Sequence, residues 1–173
     1  AKIYGPCSIG AGCRVGGEIV RSILFPNANK AHDGYLGDSV LGEWCNLGAD
    51  TNNSNLKNTY GSVQAFSYAT NGQVDTGLQF CGLVMGDHSK SGINTMFNTG
   101  TVVGVAANVF GGGFPPKHVP SFVWGGAEGF SEHTLSKALE TAQRVMERRH
   151  VPLTAIDRAI LEHVHLATAR QRG

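Results

Sequence analysis

The 173-residue chain has no apolar run near the roughly 18 residues that suggest a membrane-spanning helix. It also lacks strong charge of either sign, with charged residues at 16% and a formal net charge of +1. That leaves no electrostatic footprint for nucleic acid and no polybasic tract for a membrane surface, so neither is expected as a partner. The four cysteines form no CxxC pair, which argues against a zinc knuckle or a disulfide framework. A reducing, cytoplasmic compartment is the expectation. No phosphate-binding P-loop occurs. Aromatic residues are scarce at 8%. The chain opens with no signal peptide and no initiator Met, and Ala1-Lys2-Ile3-Tyr4 already reads as strand. A fragment of a longer protein is therefore expected.

What the chain does have is glycine, 24 residues of it, and a period of six. Apolar residues recur at Ile3, Ile9 and Val15, at Leu41 and Leu47, and at Met85, Phe97, Val103 and Val109. Small or medium side chains sit four positions later, including Cys7, Cys13, Cys45, Thr51, Ser89, Thr101 and Ala107. An α-helix, with a period of 3.6, cannot produce this pattern. A coil of three short strands can. Each corner needs residues that tolerate positive φ, one large apolar side chain per strand fills the interior, and successive coils stack to bury it. The expected fold is all-β: a left-handed parallel β-helix of hexapeptide repeats with C-terminal α-helices. Cys7, Cys13 and Cys45 become reduced core-fillers in this register. Cys81 does not fit it.

The β-helix is expected over residues 1–113, with excursions at 21–35 and 52–76. A Gly/Pro/aromatic connection is expected over 114–130, and helices over 131–173 that cap the open end or grip a neighbouring subunit. Leu135, Ala138, Leu139, Ala142, Val145 and Met146 follow helical spacing. Ser131 is a plausible N-cap, with Phe130 and Leu135 as a staple. Thr154 to Asp157 reads as a capping box for a second helix after Pro152.

The densest polar run extends from Lys30 to Asn55. Within it, His32, Tyr35-Leu36-Gly37-Asp38, Asn46-Leu47-Gly48-Ala49, Thr51 and Asn55 keep a fixed mutual spacing. In these residues the chain resembles the acetyltransferase domain of the bifunctional N-acetylglucosamine-1-phosphate uridyltransferase/glucosamine-1-phosphate acetyltransferase family, in a divergent nucleotidyltransferase-like form. The resemblance implies N-acetyl transfer from acetyl-CoA to an amino-sugar phosphate. His32 would be the general base, since the attacking amine must lose a proton and imidazole suits that at neutral pH. Asn55 would orient the amine or support the histidine. Tyr35 and Asn46 would hold the sugar phosphate, with Lys30, Lys57 and Arg21 as candidate cations for the phosphate. It further implies a homotrimer with sites between subunits and a covalently linked N-terminal nucleotidyltransferase domain outside this chain. No metal is expected, because only His32 and His88 of the seven histidines fall in the coils.

The chain departs from the family pattern in places. Asp50 replaces a Gly, Gly61 stands where a Lys is expected, and Ile93 stands where a Ser near the thioester is expected. No C-terminal basic residue can be mapped onto CoA, and the residues that would bind it are not identified. Each candidate also has a plainer role: His32 as a solvated loop residue, Asn46 as a corner, and Asn52, Asn53 and Asn55 as a turn ladder. A different class of function therefore stands beside the enzyme: a non-catalytic β-helix that oligomerises or regulates a sugar nucleotidyltransferase.

Overall fold

The computed structural model describes residues 1–172. It is the parallel β-helix that the six-residue period predicts, with two C-terminal helices. The first coil runs through β1 (Lys2–Tyr4), β2 (Ser8–Ile9) and β3 (Arg14–Val15). The second comprises β4 (Glu18–Val20), β5 (Ile23–Leu24) and β6 (Asn29–Lys30), and the third β7 (Tyr35–Gly37), β8 (Val40–Leu41) and β9 (Asn46–Leu47). The fourth opens with β10 (Asn52–Asn53), departs into an antiparallel hairpin of β11 (Gln64–Ser67) and β12 (Gly72–Asp75), and resumes with β13 (Val84–Met85) and β14 (Lys90–Ser91). The fifth holds β15 (Met96–Phe97), β16 (Val102–Val103) and β17 (Asn108–Val109). A sixth contributes β18 (His118–Val119) and β19 (Val123–Gly126), the latter paired antiparallel with β20 (Gly129–Glu132).

The three faces are continuous parallel ladders whose register fixes the core. On the second face Ile9, Leu24, Leu41, Met85, Val103 and Val119 stack inward. On the first face Ile3, Ile19 and Leu36 do so, and beyond them Asn53 and Phe97. The first-face ladder passes from β7 to β10 through side chains: Asn52 Oδ1 accepts from the Tyr35 N–H at 2.8 Å, and Asn53 Oδ1 accepts from the Gly37 N–H at 2.9 Å. Asn53 Nδ2 also donates to the Gly37 carbonyl at 3.0 Å. Asn53 thereby satisfies the buried backbone N–H and carbonyl of Gly37, as such groups require, while the Asn52 bond is exposed. Cys7, Cys13 and Cys45 are free thiols, each donating to a backbone carbonyl: those of Tyr4, Phe25 and Gly86.

Three boundaries differ from the sequence expectation. Residues 21–35 are not an excursion. They supply β5, β6 and the start of β7, and the period is masked there because the inward residue moves five positions, from Ile19 to Leu24, across a corner that Arg21 turns at φ 42°. The second inward residue in that stretch is Lys30, which no apolar register reveals. Residues 114–130 are not merely a connection, since β18 and β19 extend the ladders by a further coil. Ser131 lies within β20 rather than capping a helix, and the N-cap of α1 (Leu135–Glu147) is Thr134.

The helices lie along the side of the β-helix. One corner column carries Asn27, Trp44, His88, Ala106 and Phe122, all with φ between 53° and 63°. Ala138 and Ala142 of α1 and Leu161 of α2 (Ala155–Ala167) bury against Ala106 and Phe122 of that column. The distances agree. Thirteen helical residues rise about 20 Å, and five coil steps span about 24 Å. Just past the end of α1, Arg149 donates to the Gly12 carbonyl in the first coil at 2.9 Å. The α2 capping box forms between Thr154 and Asp157. Among the described residues, no helix is long and apolar enough to cross a membrane.

Candidate functional site

Arg21, Asp38 and Asn55 follow one another at intervals of 17 residues, one coil each, so the ladder places them side by side. Arg21 and Asp38 both occupy left-handed corner positions, at φ 42° and 49°. The Arg21 guanidinium grips Asp38 through two donors, at 2.7 and 2.9 Å. It also lies 5.2 Å from the ring centre of Phe80, a residue of the inserted segment. Asn55, just after β10, donates from Nδ2 to Asp38 Oδ2 at 2.6 Å and to the Tyr35 hydroxyl at 2.8 Å. The Tyr35 ring lies across Gly37, where any Cβ would collide with the phenol oxygen.

This network fixes the orientation of two polar groups. Both amide protons of Asn55 are engaged, which leaves its Oδ1 as a fixed acceptor. Tyr35 accepts one of those protons and so keeps its own O–H to donate. Burial first, and then the Asp38 carboxylate, push the Tyr35 hydroxyl above its ordinary pKa, so that proton is retained at neutral pH. Arg21, by contrast, is held above its already high pKa by Asp38, and its charge is balanced within the protein.

The remaining candidates fall elsewhere. His32 sits exposed on the corner between the third and first faces, and among the described residues no hydrogen bond orients its ring. Lys30 is fully buried at an inward position, and its ammonium donates to the carbonyls of His32 at 2.5 Å and Asp33 at 2.8 Å. Its expected role as a phosphate cation is therefore withdrawn: the side chain points into the core, and burial lowers its pKa. Asn46 stands on the third face, paired with Asn29, away from the Tyr35–Asn55 network. Lys57 is tied to the Ser62 carbonyl at 2.6 Å and borders a cavity of about 480 Å³ together with Ser54, Asn98 and Lys117.

Asp38, which stands in the spaced run with no role assigned to it, and Phe80, which lies outside that run, also belong to the cluster. The 17-residue interval is the signal that finds Asp38. Phe80 has no such signal, because the inserted segment carries it back to the face. Among the described residues, no three His, Cys, Asp or Glu side chains converge as a metal site.

No protein-family model matches the chain. It is similar to the bifunctional protein GlmU of Methanocaldococcus jannaschii, with 34% identity over 87 residues, half of this chain and 21% of that protein. The bifunctional protein GlmU of Synechococcus elongatus is 30% identical over 122 residues, 69% of this chain and 23% of that protein. That of Rippkaea orientalis is 31% identical over 99 residues, 56% of this chain and 18% of that protein. The resemblance drawn from the run between His32 and Asn55 thus holds over half to two thirds of the chain. The chain spans about a fifth of the length of these curated relatives.

Proposed function

We propose that this domain transfers an acetyl group from acetyl-CoA to the amine of an amino-sugar phosphate. The observation that carries the reading is the fixed pair of polar groups, Asn55 Oδ1 as acceptor and the Tyr35 hydroxyl as donor, held by Asp38 and Arg21. An acceptor suits the N–H of an attacking amine, and a donor suits a sugar hydroxyl or phosphate oxygen. In the reaction the amine nitrogen bonds to the thioester carbonyl carbon and the C–S bond breaks. The thiolate leaves, and the proton from nitrogen passes to His32 Nδ1 or Nε2. Catalysis is then positioning plus one proton transfer.

The exposed, unoriented ring of His32 fits a base completed by a neighbouring subunit, and a homotrimer built on these faces would bring a second wall to it. Lys57 is the cation left for the phosphate once Lys30 is buried and Arg21 is paired. The CoA half is less developed. Ile93, at the position where the family pattern has a serine, is exposed and offers apolar contact without a hydroxyl. A linked N-terminal nucleotidyltransferase and a cytoplasmic setting complete the reading.

A second reading is favoured by one observation: two of the three candidate phosphate cations are already neutralised or buried. In it the β-helix serves as an oligomerisation or regulatory module of a sugar nucleotidyltransferase. Thiol release from acetyl-CoA in the presence of glucosamine-1-phosphate separates the two. The acetyltransferase reading predicts sugar-dependent release that falls at least about a hundredfold in His32→Ala, the scale of losing a general base. Absence of release across several amino-sugar phosphates, from folded protein, leaves the scaffold reading.

A further inference from the structure

On the third face, away from the Tyr35–Asn55 network, a cavity of about 240 Å³ opens between the β-helix and the end of α1. Four cations line it: Arg14 and Lys90 from the ladder, and Arg148 and Arg149 from the helix end. No carboxylate does. Among the described residues, none of the four makes an ion pair. Lys90 is half-buried with a single carbonyl partner, that of His88 at 2.9 Å, and burial lowers its pKa. Arg149 uses one donor on the Gly12 carbonyl. The carbonyl end of α1 alone would repel an anion, so a helix terminus is not what makes this groove electropositive.

The amides of the groove add a second requirement. Asn29 donates to Asn46 Oδ1, while Asn29 Oδ1 is buried without a partner. Asn27, Asn29 and Asn46 all line the groove, and their amides suit a ligand that carries hydroxyls. We propose that this groove binds a small phosphorylated, hydroxyl-bearing molecule, a sugar phosphate or a nucleotide, with its phosphate between Arg14, Lys90, Arg148 and Arg149. Guanidinium forks match phosphate oxygens in pairs, and Lys90 supplies a point charge at the floor. The cavity admits a phosphate ester and is too small for a protein segment. This assignment moves Asn46 from the acceptor-amine site to the groove, and it does not depend on acetyl transfer.

Calorimetric titration at fixed ionic strength tests it, with inorganic phosphate, glucosamine-1-phosphate and uridine monophosphate as probes. Saturable binding of at least one probe is expected, weakened tenfold or more in the double variant R14A/R148A. Both of those arginines are exposed, and among the described residues their side chains make no hydrogen bond, so the fold should tolerate the change. Lys90→Met should weaken binding similarly, while Lys137→Ala, at an exposed position of α1 that does not line the groove, should leave it unchanged. Preference for the sugar phosphate or the nucleotide over inorganic phosphate identifies the source of the phosphate. Lack of saturable binding by all three probes, or binding undiminished in R14A/R148A, overturns the proposal.

Discussion

Lys30 shows how a single residue can hide a fold and still support it. It occupies an inward rung between Val15 and Leu47, fully buried, with its ammonium anchoring two carbonyls of the corner that carries His32. Burying a cation without a counter-ion is unfavourable, and replacing one by an apolar side chain of similar shape is often neutral or better. Lys30→Met should therefore leave the melting temperature within a few degrees of wild type, whereas Lys30→Ala should cost about 2–5 kcal/mol for the cavity it leaves. If the corner positions His32, Lys30→Met keeps the fold and loses thiol release, and denaturation midpoints measured beside activity show the split.

His88 makes a pH-dependent contribution. It stacks on Trp44 under the helices, and burial, with Lys90 adding to it, pushes its pKa from 6.5 down to about 4. The neutral ring is the form that the fold favours. As pH falls from 6.5 toward about 4 the unfolded chain takes up a proton that the folded chain does not, so stability drops across that window. His88→Asn, which tolerates the left-handed corner at φ 60°, should flatten this part of the stability profile. An unchanged slope between pH 6.5 and 4 would show that other groups govern it.

At the scale of elements, the corner columns decide what was legible. Where every strand advanced by six residues, as from Phe97 to Val109, the sequence pattern placed the coils directly. Where the step shortened to five, across Arg21 and Asp38, the same physics gave no visible period and the stretch read as loop. The sixth coil was hidden differently: Gly and Pro dominate residues 111–116, yet Val119 still stacks beneath Val103. The α2 capping box was legible because its chemistry is local to four residues. Thr154→Ala should cost about 1 kcal/mol, read from the chemical denaturation midpoint. A loss near zero would mean that Asp157 alone holds the helix end.

Helix α1 illustrates the opposite limit. Its apolar spacing announced a helix, but not the surface that it covers, because Trp44, His88, Ala106 and Phe122 come together only when the coils stack. The candidate site divides in the same way. Tyr35 and Asn55 were identifiable from the spaced run, and the structure joins them by a direct hydrogen bond. Asn46 was joined to them by the family resemblance, and within one chain it stands on another face, beside Asn29, since outward residues of successive strands in one coil point in different directions.

For the whole molecule, the β-helix acts as a ruler that converts a 17-residue interval into a lateral contact. That is how Arg21, Asp38 and Asn55 form one network from three separate coils. The central claim is that this network is the acceptor-amine site. The most direct test is a crystal structure of the protein soaked with glucosamine-1-phosphate. The account predicts the sugar on the first face, its amine within about 3 Å of Asn55 Oδ1 and a sugar or phosphate oxygen on the Tyr35 hydroxyl. A sugar phosphate seated only in the Arg14–Lys90 groove, with the first face empty, would contradict it.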